Sequence, residues 1–278
     1  MNKEIATATR TAEILDRYDL YPKKNYGQNF IIDPEVVRSI AASCGIEGKT
    51  VLEIGPGIGA LSEQLAKLAK HVEAYEIDRK LEIVLRDVLS GYDNIHINFC
   101  DFLKTDLKKE MERLGIEKAV FCANLPYYIT TPILFHIIDS GIDVEPMTFM
   151  VQKEMAERFR AAAGSREYND LSVLLQFLFT VKTVRNVPAS VFLPRPKVDS
   201  VVIRFEPKVH AKVDFAAFSE LVKACFVQRR KTISNNLKEY FRDAEITEKA
   251  LKEAGIEKSE RAQDLSEEDF VKLYEVTR

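Results

Sequence analysis

Asn124-Leu125-Pro126-Tyr127-Tyr128 is the segment of this 278-residue chain best equipped for chemistry. It follows an apolar run over 118–123 that reads as a buried parallel strand. Proline cannot extend a strand ladder and biases Leu125 toward an extended conformation. The chain therefore turns at the carboxyl end of a strand, where open α/β sheets place their ligands. What it presents there is a carboxamide, free backbone carbonyls and two aromatic rings. None of these is an acid or base of ordinary strength, and together they suit a flat ring that carries an amino group. A plain strand-to-helix turn is the bland alternative for so short a motif.

A second constellation is Glu53-Ile54-Gly55-Pro56-Gly57-Ile58-Gly59-Ala60. Its glycines permit a tight turn and close approach of backbone to a ligand. Glu76 closes the next strand, placed to bind a ribose diol. The pattern also satisfies the dinucleotide fingerprint, so a nicotinamide cofactor competes with other adenosine-containing ones. Two residues favour S-adenosylmethionine. Glu53, aimed at the loop, would repel a pyrophosphate and suit a cationic, amine-bearing ligand. Asp101, ending the third strand, could accept from an adenine amino group or simply cap the next helix. His71, His96, His136 and His210 do not converge in the sequence, and structural roles are expected for them.

The elements that must carry these groups alternate strand and helix. Asp33-Pro34-Glu35 starts a helix over 34–43, and strands are expected at 50–54, 72–76, 95–100, 118–123 and 147–151. Helices at 60–69, 80–89, 104–114, from Thr131 to Gly141, and 152–163 lie between or after them. This predicts a doubly wound α/β sheet. Strands at 181–187 and 200–205 flank a proline-rich stretch. Beyond Val209 the pattern is helical, at 215–226, 230–241, 247–254 and 266–276. The expected division is a cofactor-binding domain over 1–207, with an N-terminal helical extension, and a helical domain over 208–278.

Composition is that of an ordinary globular protein, with 46% apolar and 30% charged residues. No secretory signal is evident, and the apolar stretch at 171–181 is too short to span a bilayer. Cys44, Cys100, Cys122 and Cys225 lack metal-binding spacing, so no metal is expected. Buried reduced thiols in the cytoplasm are the better reading. Net charge is −3, yet residues 221–242 carry six basic residues against one acidic, and 243–278 carry six against eleven. This asymmetry makes a localised basic face for nucleic acid plausible.

With these residues in view, the chain resembles the rRNA adenine N6-dimethyltransferases. The likeness rests on Val51-Leu52-Glu53-Ile54-Gly55-Pro56-Gly57-Ile58-Gly59-Ala60-Leu61-Ser62 with Glu76-Ile77-Asp78, on residues 124–132, and on Gly27-Gln28-Asn29-Phe30. Val151-Gln152-Lys153-Glu154, Phe192-Leu193-Pro194-Arg195-Pro196-Lys197-Val198-Asp199-Ser200 and Phe226-Val227-Gln228-Arg229-Arg230-Lys231-Thr232 complete it in order. Tyr128, Thr131-Pro132 and the Gln-Arg-Arg-Lys run look like the small-subunit branch linked to kasugamycin sensitivity. They look less like the large-subunit branch of macrolide resistance.

The resemblance implies a Rossmann-like, seven-stranded methyltransferase sheet with a small all-α C-terminal domain. It implies S-adenosylmethionine as cofactor, with Asn29, Ile31, Gly55, Glu76, Asp101 and Asn124 at its pocket. The implied substrate is a pair of adjacent adenosines in a hairpin near the 3′ end of small-subunit rRNA, met in an immature 30S particle. Nothing in the sequence demands an oligomer, so a monomer is expected.

The residues themselves carry a mechanism. The N6 amine of adenine is a weak nucleophile because its lone pair is delocalised into the ring. Acceptors at the Asn124 side-chain oxygen and the Leu125 carbonyl would favour a pyramidal nitrogen aimed at the methyl carbon. Tyr127 would stack on the base, with Phe192 the candidate for its opposite face. A methylated amine sheds its proton readily, so no dedicated base is needed, whereas hydride transfer or hydrolysis would want one. Lys23, Lys24, Lys153, Arg158, Arg195, Arg229, Arg230 and Lys231 are the candidates for phosphate contact, the 229–231 cluster and Arg195 foremost. Competing readings are a large-subunit rRNA methyltransferase, a DNA adenine methyltransferase, which the lack of a separate sequence-reading domain disfavours, and a ribosome-assembly factor whose binding matters apart from catalysis.

Overall fold

The computed structural model describes residues 4–22, 27–126, 128–210 and 212–278. The chain divides into two compact units. One comprises Met1–Lys153 with Lys182–Glu206, the other Glu154–Val181 with Pro207–Arg278.

In the first unit, helix α1 (Ala8–Arg17) precedes the short strand β1 (Phe30–Ile31) and α2 (Pro34–Ser43). Asp33 caps α2 by accepting from the Glu35 N–H, with Pro34 in the first turn, as the sequence predicts. Then follow β2 (Thr50–Ile54), α3 (Ala60–Leu68), β3 (His71–Tyr75), α4 (Glu82–Val88), β4 (Ile95–Asn98), α5 (Leu107–Leu114), β5 (Val120–Asn124), α6 (Thr130–Asp139) and β6 (Met147–Gln152). After α7 (Lys153–Phe159) and α8 (Asp170–Leu178) come β7 (Phe179–Val187), β8 (Phe192–Leu193) and β9 (Ser200–Pro207).

The main sheet has seven strands in the order β4-β3-β2-β5-β6-β9-β7. Strands β4, β3, β2, β5 and β6 run parallel, and β9 lies antiparallel to β6. The central strands read as apolar runs because both faces are covered: Val51, Leu52, Val120, Phe121 and Phe149 are all buried. A separate ribbon pairs β1 with β8, Phe30 opposite Leu193 and Ile31 opposite Phe192.

The edge of the sheet is tied by a polar cluster that the sequence presents only as scattered residues. Glu73 on β3 is fully buried and accepts from His71 (2.8 Å), His96 (2.7 Å) and Asn98 (2.6 Å). Burial pushes its carboxyl up, but those bonds together bring it below the usual carboxylate range. His136 meets the Thr105 carbonyl at 3.0 Å. These three histidines are structural, as expected, and His210 packs its ring on Phe177.

The second unit contains α7 from Glu154 onward, α8 and four further helices, α9 (Phe215–Phe226), α10 (Ile233–Phe241), α11 (Ala244–Ala254) and α12 (Glu267–Val276). Aromatic contacts knit it together, Phe177 to Phe218 at 4.7 Å and Phe226 stacked on Phe270 at 5.7 Å. Helix α8 is what sets this grouping apart from a single division at residue 207. Its Val173, Leu174, Leu175 and Phe177 are buried with the C-terminal helices, so residues 154–181 group with them. Among the described residues no helix is long and apolar enough to cross a membrane.

Candidate active site

Strands β2, β3 and β5 end on the same edge, with Asp101 just beyond β4. A cavity of about 250 Å³ opens there. Asn29, Ile31, Gly55, Glu76, Asp101, Asn124 and Leu125 all line it, so the cofactor-side and substrate-side residues singled out from sequence meet in one place.

The glycine turn is built by conformation and close packing. Gly57 has φ +60°, and a Cβ there would lie 3.4 Å from the Phe30 ring. Gly59 caps α3 at φ +89°, where a side chain would press on Leu89 at 3.3 Å. The Glu76 carboxylate ties this turn to β3. One oxygen accepts from the Gly57 N–H (3.1 Å), the other from the Asp78 N–H (2.8 Å). Burial raises the Glu76 pKa, and these two backbone bonds counter it only in part. Asp101 accepts from the Leu103 N–H at 3.1 Å, so it caps a short helical turn and borders the cavity at once.

Glu53 departs from expectation. It is 1% exposed and does not line the cavity. It sits in β2 between Ala74 of β3 and Cys122 of β5, both themselves buried. Burial pushes its carboxyl up to about 8; the Ser62 hydroxyl beside it lowers the value only partly, and the Glu76 charge adds to the rise. Neither carboxyl oxygen of Glu53, nor the Ser62 hydroxyl, makes a hydrogen bond of normal geometry. Glu53 therefore offers the ligand no exposed carboxylate.

On the substrate side, the Leu125 N–H donates to the Met150 carbonyl (3.1 Å), fixing the turn to β6. The Pro126 carbonyl accepts from the Ile129 N–H (3.2 Å) and the Thr130 hydroxyl (3.3 Å), launching α6. Among the described residues, by contrast, the Asn124 side chain and the Leu125 carbonyl take part in no hydrogen bond. Tyr128 is 55% exposed at the rim. Tyr127, the expected stacking ring, lies outside the described residues, as do Lys23 and Lys24.

Phe192 is not at the cavity. It is 3% exposed, packed in the core through the ribbon with Ile31. A ring so enclosed has no free face for a base, which corrects the expectation. The basic run is also not helical. Residues 227–231 form a turn, because Thr232 caps α10 by accepting from the Asn235 N–H. In that turn Arg229 donates to the Arg166 (2.8 Å) and Tyr168 (3.1 Å) carbonyls, and Lys231 pairs with Glu239 at 3.1 Å. Arg230 has no such partner among the described residues. Arg195 and Lys153 are exposed, while Arg158 pairs with Glu154.

Tyr75, Ile77, Phe102 and Leu103 complete the apolar wall of the cavity, which sequence reading did not identify. The available signal was Ile77, an apolar residue 47% exposed directly after an acidic strand end. Cys100 is exposed at the cavity, unlike the other three thiols, which are buried. All four cysteines are free. Among the described residues no group of three or more metal-ligating side chains forms.

With this geometry in place, comparison with known proteins is decisive. The model of the family described as ribosomal RNA adenine dimethylase matches residues 21–278. The chain belongs to that family. Ribosomal RNA small subunit methyltransferase A of Staphylococcus aureus strain Newman is 46% identical over 285 residues, covering 99% of this chain and 96% of that protein. Among solved structures, the 23S rRNA methyltransferase ErmE matches with a TM-score of 0.70 and 29% identity, over 90% of this chain and 99% of ErmE. A dimethyladenosine transferase from Plasmodium falciparum matches with a TM-score of 0.73 and 28% identity, over 87% of this chain and 95% of its own. The seven-stranded sheet is thus the methyltransferase sheet of the rRNA adenine dimethylases, and this member is an rRNA adenine methyltransferase.

Proposed function

We propose that this dimethylase moves methyl groups from S-adenosylmethionine to the N6 amines of two adjacent adenosines in a hairpin near the 3′ end of small-subunit rRNA. In this reading it acts as a monomer on an immature 30S particle. One observation carries it. Among the described residues the Asn124 amide and the Leu125 carbonyl hold no hydrogen bond, and both border the same cavity as Glu76 and Asp101.

The residues present fit the cofactor. Glu76 keeps lone pairs for a ribose diol beyond its two backbone bonds, and Asp101 has a second oxygen, outside its capping bond and 3.8 Å from the Lys104 ammonium, with lone pairs for an adenine amine. Asn29 and Ile31 line the same cavity. When bound, S-adenosylmethionine supplies an electrophilic methyl group. The protein's share is to orient the amine. The Asn124 oxygen and Leu125 carbonyl accept from its two N–H groups, turning the lone pair out of the ring plane. Tyr127 holds the base by stacking. A monomethyl amine has one N–H left, so only one of the two acceptors is engaged in the second transfer. The proton lost after each transfer passes to water.

Arg195 and Arg230 are assigned to the rRNA backbone, while Arg229 supports the 227–231 turn and Lys231 is paired with Glu239. The test is incubation of the protein and labelled S-adenosylmethionine with unmethylated small subunits, with large subunits and with free rRNA, followed by mapping of the modified bases. Label on adjacent adenosines near the small-subunit 3′ end is expected. Label in large-subunit RNA, the specificity in ErmE's name, would overturn the substrate assignment.

A further inference from the structure

One wall of the cavity is braced from a helix that does not line it. Phe102 borders the cavity beside Asp101, the residue assigned to the adenine amine. Three rings meet Phe102 edge-on: Tyr75 at 5.4 Å, Phe121 at 6.1 Å and His136 at 5.4 Å, with interplanar angles of 68°, 79° and 81°. Edge-to-face contact is directional, so the tilt of Phe102 follows the rings that hold it.

Each of the three rings is fixed in its own way. Phe121 is buried in β5, and His136 is tied to the Thr105 carbonyl. Tyr75, which ends β3 and itself lines the cavity, donates its hydroxyl to Glu110 at 2.6 Å. Glu110 stands in α5, away from the cavity lining. Arg113, one turn further on, donates to both oxygens of Glu110 (2.6 and 3.0 Å) and also to the buried Glu73. The Arg113 guanidinium holds the Glu110 carboxyl below the usual carboxylate range. Burial, and after it Glu110 itself, push the Tyr75 phenol up. The contact is thus a neutral phenol donating to a carboxylate, the stronger class of hydrogen bond.

We propose that Glu110 is a positioning residue for the purine end of the cofactor site: by gripping the Tyr75 hydroxyl it fixes the Tyr75 ring, and with it the Phe102 ring on the cavity wall. A phenylalanine at 75 would fill the same space with its far end untethered. The inference rests on the proposed function and adds a residue to its cofactor site. The purine lies far from the transferred methyl group and is held alike before and during transfer. Loss of the brace therefore weakens binding of the cofactor and leaves the chemical step alone.

Calorimetry with S-adenosylhomocysteine and methyl transfer to unmethylated small subunits test it. Tyr75→Phe and Glu110→Ala should each weaken S-adenosylhomocysteine binding, and raise KM for S-adenosylmethionine, by about fivefold. In both, kcat should stay within about twofold of wild type. The double variant should be no worse than either single one, since both break the same bond. Glu110→Gln, whose amide oxygen still accepts from the phenol, should recover most of the loss. Tyr75→Phe, which removes a single oxygen, decides the matter if Glu110→Ala fails to fold. Unchanged affinity in the folded variants, losses that add in the double variant, or a fall in kcat with KM unchanged would overturn the brace and leave the methyltransferase reading standing. A wild type that neither binds S-adenosylhomocysteine nor methylates subunits would overturn both.

Discussion

The glycine turn and the 124–128 turn end neighbouring parallel strands, β2 and β5, yet they commit their polar groups in opposite ways. Around the glycine turn the polar groups are already engaged. Glu76 is anchored to Gly57 and Asp78, Asp101 caps Leu103, and the Gly55 N–H donates to Tyr75. At the substrate turn the frame is fixed through Leu125 and Pro126, while among the described residues nothing bonds the Asn124 amide or the Leu125 carbonyl. The contrast teaches a division of labour. On the proposed reading, a cofactor that stays similar through every turnover is met by a rigid wall, whereas a nitrogen that changes from primary to tertiary amine is met by acceptors that no other described residue engages.

The comparison breaks first at Asn124. Asn124→Ala should lower methyl transfer by about a thousandfold, in the range seen when a positioned transition-state partner is lost, with the thermal midpoint nearly unchanged. Near-normal transfer of label would show that the open acceptor is incidental. Next comes Glu53, beneath the rigid wall. Its folded pKa of about 8 stands above its ordinary 4.5, so the folded state holds a proton that the unfolded state releases. The stabilisation this gives is complete below pH 4.5 and is lost as pH rises toward 8. Glu53→Gln should flatten that part of the stability curve and add roughly 3 kcal/mol at pH 7. Denaturant midpoints from pH 5 to 8 that fall as steeply as wild type would count against it.

Glu76→Gln should weaken cofactor binding by about 10- to 100-fold, since a charged acceptor of two backbone bonds is lost. Calorimetry with S-adenosylhomocysteine would measure it, and an unchanged affinity would mean the wall is held some other way. Smallest is Tyr127→Phe. Stacking alone should keep transfer within about threefold, while Tyr127→Ala loses the roughly 1–3 kcal/mol of a base–aromatic contact. A Phe variant as poor as Ala would point to the hydroxyl.

How legible these regions were follows from local rules. Strand β2, helix α2 and helix α9 fall at their expected limits, because Asp33-Pro34 and Asp214 mark the helix starts and an apolar run marks the strand. The cavity was legible as well, since its polar members sit at strand ends. Helix α8 was not. Its polar residues face inward, Ser172 joined to Asn169 and the Arg158 carbonyl, and Gln176 donating to the Phe159 and Ala161 carbonyls. No polar stripe remains to reveal the helical period. Thr232 caps α10 from inside a basic run, so the helix starts at Ile233, three residues after the expected Arg230. Phe192 illustrates a different limit, for an aromatic residue beside prolines looks the same in sequence whether it awaits a base or fills a core.

On the proposed RNA contact, the turn at Arg229 sets how binding depends on electrolyte. A guanidinium already clasping two carbonyls, and an ammonium paired with Glu239, displace few counterions when RNA arrives. Three adjacent cations then behave as about one ionic contact. Removing the Arg230 charge should reduce the slope of log affinity against log salt by about 1, and removing Arg229 should change the slope less while loosening the turn.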